Sequence, residues 1–239
     1  MKLGVNVDHV ATLRQQRQTR YPDPVVCSLL AEYAGCDSIV MHLREDRRHI
    51  QERDLRLVKK AIPIPLNLEM SVAKEIVEFA LRLKPYQATL VPEKRKELTT
   101  EGGLDLVKNY NKVKKVVERL QSKGIRASLF IDPRIRQIKY AKKIGASNIE
   151  IHTGKFCDAK TVISKKNELT KIKEAANFAK KIGFFVAAGH GIDYENVKPI
   201  AKIKAIEELN IGHSIICRSV AVGIVPAVEE MVGLLGKKR

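Results

Sequence analysis

The sequence predicts an α/β fold, a single (β/α)8 TIM barrel over residues 1–239, and three observations carry that prediction. Apolar strand-like runs and helix-like periodicities alternate eight times along 239 residues, the rhythm of strand and helix units around one parallel sheet. Runs such as SIVM, ATLV and FFVAA are continuously apolar, as expected of strands covered on both faces. All six histidines fall where a strand is expected to end or in the loop after it, and in a barrel those ends share one mouth. No Pro/Gly/Ser-rich or low-complexity stretch divides the chain, so one domain is expected.

The elements follow in order. Residues 3–7 form the first expected strand, which runs into Asp8 and His9 and then a polar arm, TLRQQRQTRY. Asp23 followed by Pro24 marks a helix start, with the carboxylate as cap and the proline at the first helical position; this helix is expected to end near Gly35. The second strand spans 38–42. A helix over 54–61 precedes a proline-bounded strand at 65–69, and Ser71 is the expected cap of a helix running to about Leu83. Strand four, 87–91, opens a long loop, PEKRKELTTEGG. The helix after it, over 104–122, carries Val107, Tyr110, Val113, Val117 and Leu120 at helical spacing, and Gly124 closes it. Strands at 126–131, 148–151, 184–188 and 209–211 lead into Asp132, His152, GHG and GHS. One terminal helix is expected over 214–235.

Composition narrows the function classes. The formal charge is +17 with 44% hydrophobic residues, but much of the charge is lysine alternating with glutamate or apolar residues, the pattern of solvated outer helix faces. Six Phe, six Tyr and no Trp, without an RNP-like or zinc-finger pattern, argue against nucleic acid as partner. The most apolar late segment, 220–228, is too short to span a bilayer, so no membrane association is expected. The four cysteines are scattered without a C-x-x-C pair, and the N-terminus lacks a signal design, so a cytoplasmic protein with reduced thiols is expected.

The chemistry should lie at the mouth, which the expected strand ends supply with Asn6, Asp8, His9, His42, Arg44, Glu69, Asp132, Glu150, His152, His190 and His213. The segment VMHLREDRRHI delivers His42 and Arg44 from a strand and Arg47, Arg48 and His49 from the following loop, a way to hold an anion beside a titratable base. Its other reading is a salt-bridged loop. Glu69, in LNLEM, has apolar neighbours that would disfavour its charged form and suit it to proton transfer near neutrality; the rival reading is a buried ion pair with Arg44. Gly191 in GHG and Gly212 in GHS follow strands seven and eight, where glycine lets backbone amides approach a phosphate. A metal-dependent barrel hydrolase is the main chemical rival, yet such barrels begin with H-x-H where this chain has NVDH, and no H-E-x-x-H occurs; no metal is expected. A Schiff-base lyase needs a desolvated lysine at a strand end, and Lys155, just past strand six, is the sole near candidate. A basic barrel that binds phosphorylated ligands or nucleic acid without turnover is the non-enzymatic alternative.

Taken together, LGVNVDHVATLRQ, YPDPV, HLREDRRHI, NLEM, LVPEKR, TTEGGLD, SLFID, IEIHTG, AGHG and ELNIGHSII resemble the pyridoxine 5'-phosphate synthase family of vitamin B6 biosynthesis, in order and over essentially the whole chain. The resemblance implies a barrel with extra helices, assembled as a homo-octamer from dimers, with no metal or organic cofactor. It implies condensation of two small phosphorylated substrates, 3-amino-2-oxopropyl phosphate and 1-deoxy-D-xylulose 5-phosphate, to pyridoxine 5'-phosphate, phosphate and water. The Schiff base then forms between the substrates, and no catalytic lysine is required. By motif position His42 is the implied proton acceptor, Glu69 a second acid/base residue and His190 the proton donor. Asp8, His9, Arg44, His49 and Thr99 would bind the deoxyxylulose phosphate, and Asn6, Arg17, Gly191, Gly212 and His213 the amino ketone phosphate. Glu150 is a further candidate, and the loop TTEGG an expected lid over the site. Two positions depart from the family pattern: Ala187 stands where asparagine is usual, and Gln18 where glycine follows the arm arginine.

Overall fold

A computed structural model describes residues 1–93 and 102–236. Its strands close into one parallel barrel in the order β1 to β8. The strands are β1 (Lys2–Asn6), β2 (Ser38–Leu43), β3 (Leu66–Met70), β4 (Gln87–Leu90), β5 (Arg126–Ile131), β6 (Asn148–His152), β7 (Phe185–Gly189) and β8 (Glu208–Ile211), each within one or two residues of expectation. Closure pairs β1 with β8, Lys2 opposite Glu208 and Val5 opposite Ile211.

Side-chain alternation divides each strand. Leu66, Leu68 and Met70 of β3 and Ile149 and Ile151 of β6 turn outward into the buried core shared with the helices, while Asn67, Glu69, Asn148 and Glu150 turn inward. The barrel interior is therefore polar below its mouth. Thr89 Oγ1 donates to Asn67 Oδ1 at 2.8 Å, Asn148 Nδ2 to Gln87 Oε1 at 2.6 Å and Asn210 Nδ2 to Glu150 Oε2 at 2.7 Å. Burial of these groups is tolerable because they bond to one another. A Cβ at Gly4 would sit 2.2 Å from Asn210 Oδ1 and 2.8 Å from Ser38 Oγ, so glycine is what lets those polar groups fill the axis there.

The helices correct five expectations. The polar arm is a helix, α1 (Asp8–Arg17). Its few apolar residues hid a buried face of Val10, Ala11 and Arg14. Arg14 reaches into the protein with Nη1 and Nη2 2.8 and 2.7 Å from the two oxygens of Asp54, a buried two-pronged pair whose severance costs about 3–5 kcal/mol. The helix stops at Gln18, at φ 50° and ψ 39°. This left-handed conformation explains why glycine suits the position, and Gln18 occupies it at a cost of roughly 1–2 kcal/mol. Helix α2 (Pro24–Tyr33) starts as expected, with Asp23 Oδ1 accepting from the Val25 amide at 2.9 Å. Helix α3 (Glu52–Ala61) begins earlier than expected because Gln51 and Asp54 form a capping box.

Ser71 does not cap α4 (Lys74–Leu83); its hydroxyl accepts from the Ala73 amide, and Ala73 is the boundary residue. Helix α5 (Tyr110–Gln121) starts six residues late, because Asp105 accepts from the amides of Val107 and Lys108 and organises a turn first. Between β5 and β7 run α6 (Ile135–Ile144), the short α7 (Gly154–Cys157) and α8 (Val162–Lys181), and α9 (Val197–Ala201) precedes β8. The terminal helix is two, α10 (His213–Val222) and α11 (Ile224–Leu234), broken at Gly223, whose φ of 87° and ψ of 159° no helix accommodates. The eleven helices among the described residues thus include α1 and α7 beyond one per strand, and a second after β8. None is long and apolar enough to cross a membrane.

Candidate active site

The carboxyl ends of the strands enclose a cavity of about 530 Å³ lined by twelve of the fourteen residues given a catalytic, binding or further-candidate role from the sequence: Asn6, Asp8, His9, His42, Arg44, His49, Glu69, Glu150, His190, Gly191, Gly212 and His213, while Asp132 and His152, also expected at the mouth, are not in the lining. Two of the fourteen are not there. Arg17 ends α1 and is exposed, outside the lining, and Thr99 lies outside the described residues, as does most of the TTEGG segment. Lys155 is exposed on α7, which removes the lysine required by a Schiff-base lyase.

His42 and Glu69 occupy register positions opposite each other on β2 and β3. Asp8 fixes the start of this pair, its Oδ1 accepting from the His42 amide at 2.9 Å and its Oδ2 from Asn6 Nδ2 at 2.8 Å. Glu69 has no cationic partner among the described residues. Burial, then the carboxylates of Glu150 and Asp8, raise its pKa well above the ordinary range. Arg44 turns elsewhere, with Nε 3.6 Å from Glu93 Oε1 and 3.7 Å from Asp46 Oδ1. The ion pair between Glu69 and Arg44 that the sequence also allowed does not form. Glu150 is likewise pushed up, to about 7, by burial, opposed by the Asn210 amide and assisted by Glu208. Ala187 is in register with both Glu150 and Glu208.

Glu93 is the residue that sequence reading missed. It sits in the charged run after β4, which the sequence showed only as a long loop. Its side chain is only 4% exposed. Oε2 lies 3.6 Å from His42 Nε2, and Oε1 accepts from the Glu45 amide at 2.7 Å. Burial pushes its carboxyl up, but His42, the Glu45 amide and Arg44 outweigh that and hold it below the ordinary value. An ionised carboxylate thus stands behind His42 and beside Arg44. The VMHLREDRRHI segment splits between the two readings it allowed. Arg47 is spent on Glu52 and Glu75 and Arg48 on Asp46, whereas Arg44 and His49 face the cavity. Burial lowers the pKa of His49 and of His9, favouring neutral imidazoles.

Across the mouth, His190 adopts φ 80°, a backbone conformation disfavoured for a residue with a side chain and common where function demands it. The buried Thr153 hydroxyl holds it there, 2.8 Å from the Gly189 carbonyl oxygen and 2.5 Å from that of His190. Burial, then His152, lower the pKa of His190, so a protonated His190 gives up its proton more readily than a free imidazolium. Gly191 has φ 76°, and a Cβ on it would meet Cys157 at 2.8 Å. Gly212 precedes α10, and a Cβ there would lie 2.8 Å from Asn6 Cβ. The free amides at the start of this ten-residue helix are a favourable seat for an anion.

Asp8, His42 and Glu69 each offer a ligand atom within 4.8 Å of the others, the one trio among the described residues that could hold a metal ion. Each Asp8 oxygen already accepts one hydrogen bond from a neighbour.

The fold and the lining define a (β/α)8 barrel whose mouth gathers histidines, carboxylates and an arginine. The chain belongs to the family described as pyridoxal phosphate biosynthesis protein PdxJ, which matches residues 3–237. It is 54% identical over 234 residues to the pyridoxine 5'-phosphate synthase of Pelobacter propionicus, covering 98% of each chain, and 52% identical over 238 residues to that of Synechocystis sp., covering 99% of this chain and 98% of the relative. The solved phosphoribosyl anthranilate isomerase of Thermus thermophilus shares the fold at TM-score 0.63 and 13% identity, over 99% of this chain and 98% of that one.

Proposed function

We propose that the mouth condenses 3-amino-2-oxopropyl phosphate with 1-deoxy-D-xylulose 5-phosphate to give pyridoxine 5'-phosphate, phosphate and water. The observation that carries this reading is the pairing of His42 with Glu69 in register at the centre of the cavity, with His190 on the same lining. Ring closure proceeds through imine formation between the two substrates, loss of water and phosphate, and tautomerisation, each of which moves protons at carbon, oxygen or nitrogen. His42 accepts a proton, Glu69 shuttles one, and His190 donates to a leaving oxygen. Glu150, below them, keeps a proton available near neutral pH. Arg44 and His49, with Asp8, His9 and Thr99, hold the deoxyxylulose phosphate. Asn6, Arg17, Gly191, Gly212 and His213 hold the amino ketone phosphate. The protein acts as one cytoplasmic domain without a metal, in homo-oligomers, the octamer of the family.

Incubating the purified protein with both substrates and following pyridoxine 5'-phosphate by chromatography tests the reaction. The expected result is product that requires both substrates and survives chelator treatment. Product absent, or formed only with an added metal ion, contradicts the proposal.

A further inference from the structure

Behind His190 stands a second imidazole that the reaction scheme leaves unused. His152 is the last residue of β6 and is 4% exposed. Its ring centroid is 4.8 Å from that of His190, and Phe130 closes its other side edge-on at 5.2 Å. Neither ring nitrogen has a hydrogen-bond partner among the described residues. A purely structural buried histidine would ordinarily satisfy at least one. Nδ1 instead lies 3.5 Å from Asp132 Oδ1, ion-pair distance, and Nε2 lies beside Gly154. A Cβ at 154 would be 2.6 Å from His152 Nε2 and 3.0 Å from His190 Cδ2, so the two imidazoles approach only because that residue is glycine. Asp132 itself is anchored: its Oδ1 accepts from the Gly103 amide at 3.0 Å, and the His152 ring is the main reason its carboxyl is held down at about 2.

We propose that Asp132 and His152 are positioning residues for His190, a carboxylate and an imidazole in series that fix the orientation and protonation of the proton donor. The inference rests on the reading of His190 as that donor. An ionised Asp132 favours a proton on Nδ1 of His152, which leaves Nε2 and the ring edge to face His190. A proton on His152 opposes one on His190, so the pair sets how readily His190 releases its own. The charged groups acting on His190 are His152 and, from the end of α7, Asp158; those acting on Asp132 are His152 and Arg134. The Asp132 anchor at Gly103 also joins this relay to the foot of the chain segment that returns from β4.

The test compares His152→Gln, Asp132→Asn, their double variant and His190→Gln with the unaltered protein, all checked for folding by circular dichroism. His152→Gln and Asp132→Asn should each lower kcat by about 10- to 100-fold, the scale for losing a carboxylate–imidazole support, with KM for both substrates within about threefold. The double variant should be no worse than the poorer single variant, because the two act in series. In 15N-histidine spectra, the His190 signal should titrate at a different pH in Asp132→Asn. Losses confined to KM, losses that multiply in the double variant, or an unmoved His190 titration overturn the relay. Where His152→Gln fails to fold, Asp132→Asn alone decides by the same kcat and titration criteria. If His190→Gln keeps its turnover, the donor reading fails; if only His190→Gln loses turnover, the relay alone fails.

Discussion

The two sides of the mouth each set a carboxylate behind a histidine proposed for catalysis, a buried Glu93 side chain on one and a half-buried Asp132 on the other, and they do it differently. On the β2 to β4 side Glu93 lies 3.6 Å from His42 itself and is shared with Arg44, so the acid, the base and the anion-binding cation form one charged cluster. On the β5 to β7 side Asp132 lies 3.5 Å from His152, and His190 is one ring further on, held by its backbone through Thr153. The first side combines strong charge with direct contact, as suits a base that also neighbours a phosphate. The second keeps formal charge away from a histidine that must release a proton, and supplies glycine amides where the first supplies Arg44. Under the proposed reaction, two substrates with a phosphate each would use two unlike ends, and this contrast is what the proposal draws on.

The comparison breaks first at its centre. Glu69→Gln and His42→Ala are each expected to lower turnover by about a hundredfold or more, the scale for a lost positioned acid or base. Steady-state kinetics on folded variants check this, and near-normal turnover in either would remove that residue from the mechanism. Glu93→Gln sharpens it: the amide still accepts from the Glu45 backbone but no longer presents charge to His42 and Arg44. Turnover should fall about 10- to 100-fold, whereas a change below threefold would make Glu93 a loop anchor only.

A smaller effect lies beneath both sides. The pKa of Glu150, about 7, exceeds the ordinary 4.5, so the folded protein binds this proton more tightly than the unfolded chain does. The stability it contributes is present below the ordinary value and lost as pH rises through about 7. At most about 3 kcal/mol is involved. Glu150→Gln should therefore gain melting temperature relative to the unaltered protein, by several degrees, between pH 5 and pH 8. Parallel melting curves across that range would contradict the burial argument.

Strand positions and the mouth were legible because continuous apolar runs and strand-end histidines are local signals that the barrel converts directly into a site. The misses have local causes too. Helix α1 looked solvated because its buried face is completed by Arg14, whose partner Asp54 is 40 residues away. Glu93 lay within a run of charges, and its place beside His42, Arg44 and the Glu45 amide comes only from the fold. Arg47 and Arg48 looked as available as Arg44, but their nearest carboxylates, Glu52, Glu75 and Asp46, claim them. The break at Gly223 follows from one backbone conformation that the surrounding apolar periodicity concealed.

The division of the mouth into two unlike phosphate ends is the central claim, and calorimetric titration of each substrate alone into Arg44→Ala and Gly212→Ala tests it most directly. The added methyl at Gly212 meets Asn6, so Gly212→Ala should weaken 3-amino-2-oxopropyl phosphate by about tenfold or more, the scale of one lost charge-assisted contact. It should leave 1-deoxy-D-xylulose 5-phosphate within about threefold, and Arg44→Ala should do the reverse. Equal losses for both ligands in either variant, or none in both, would contradict the account.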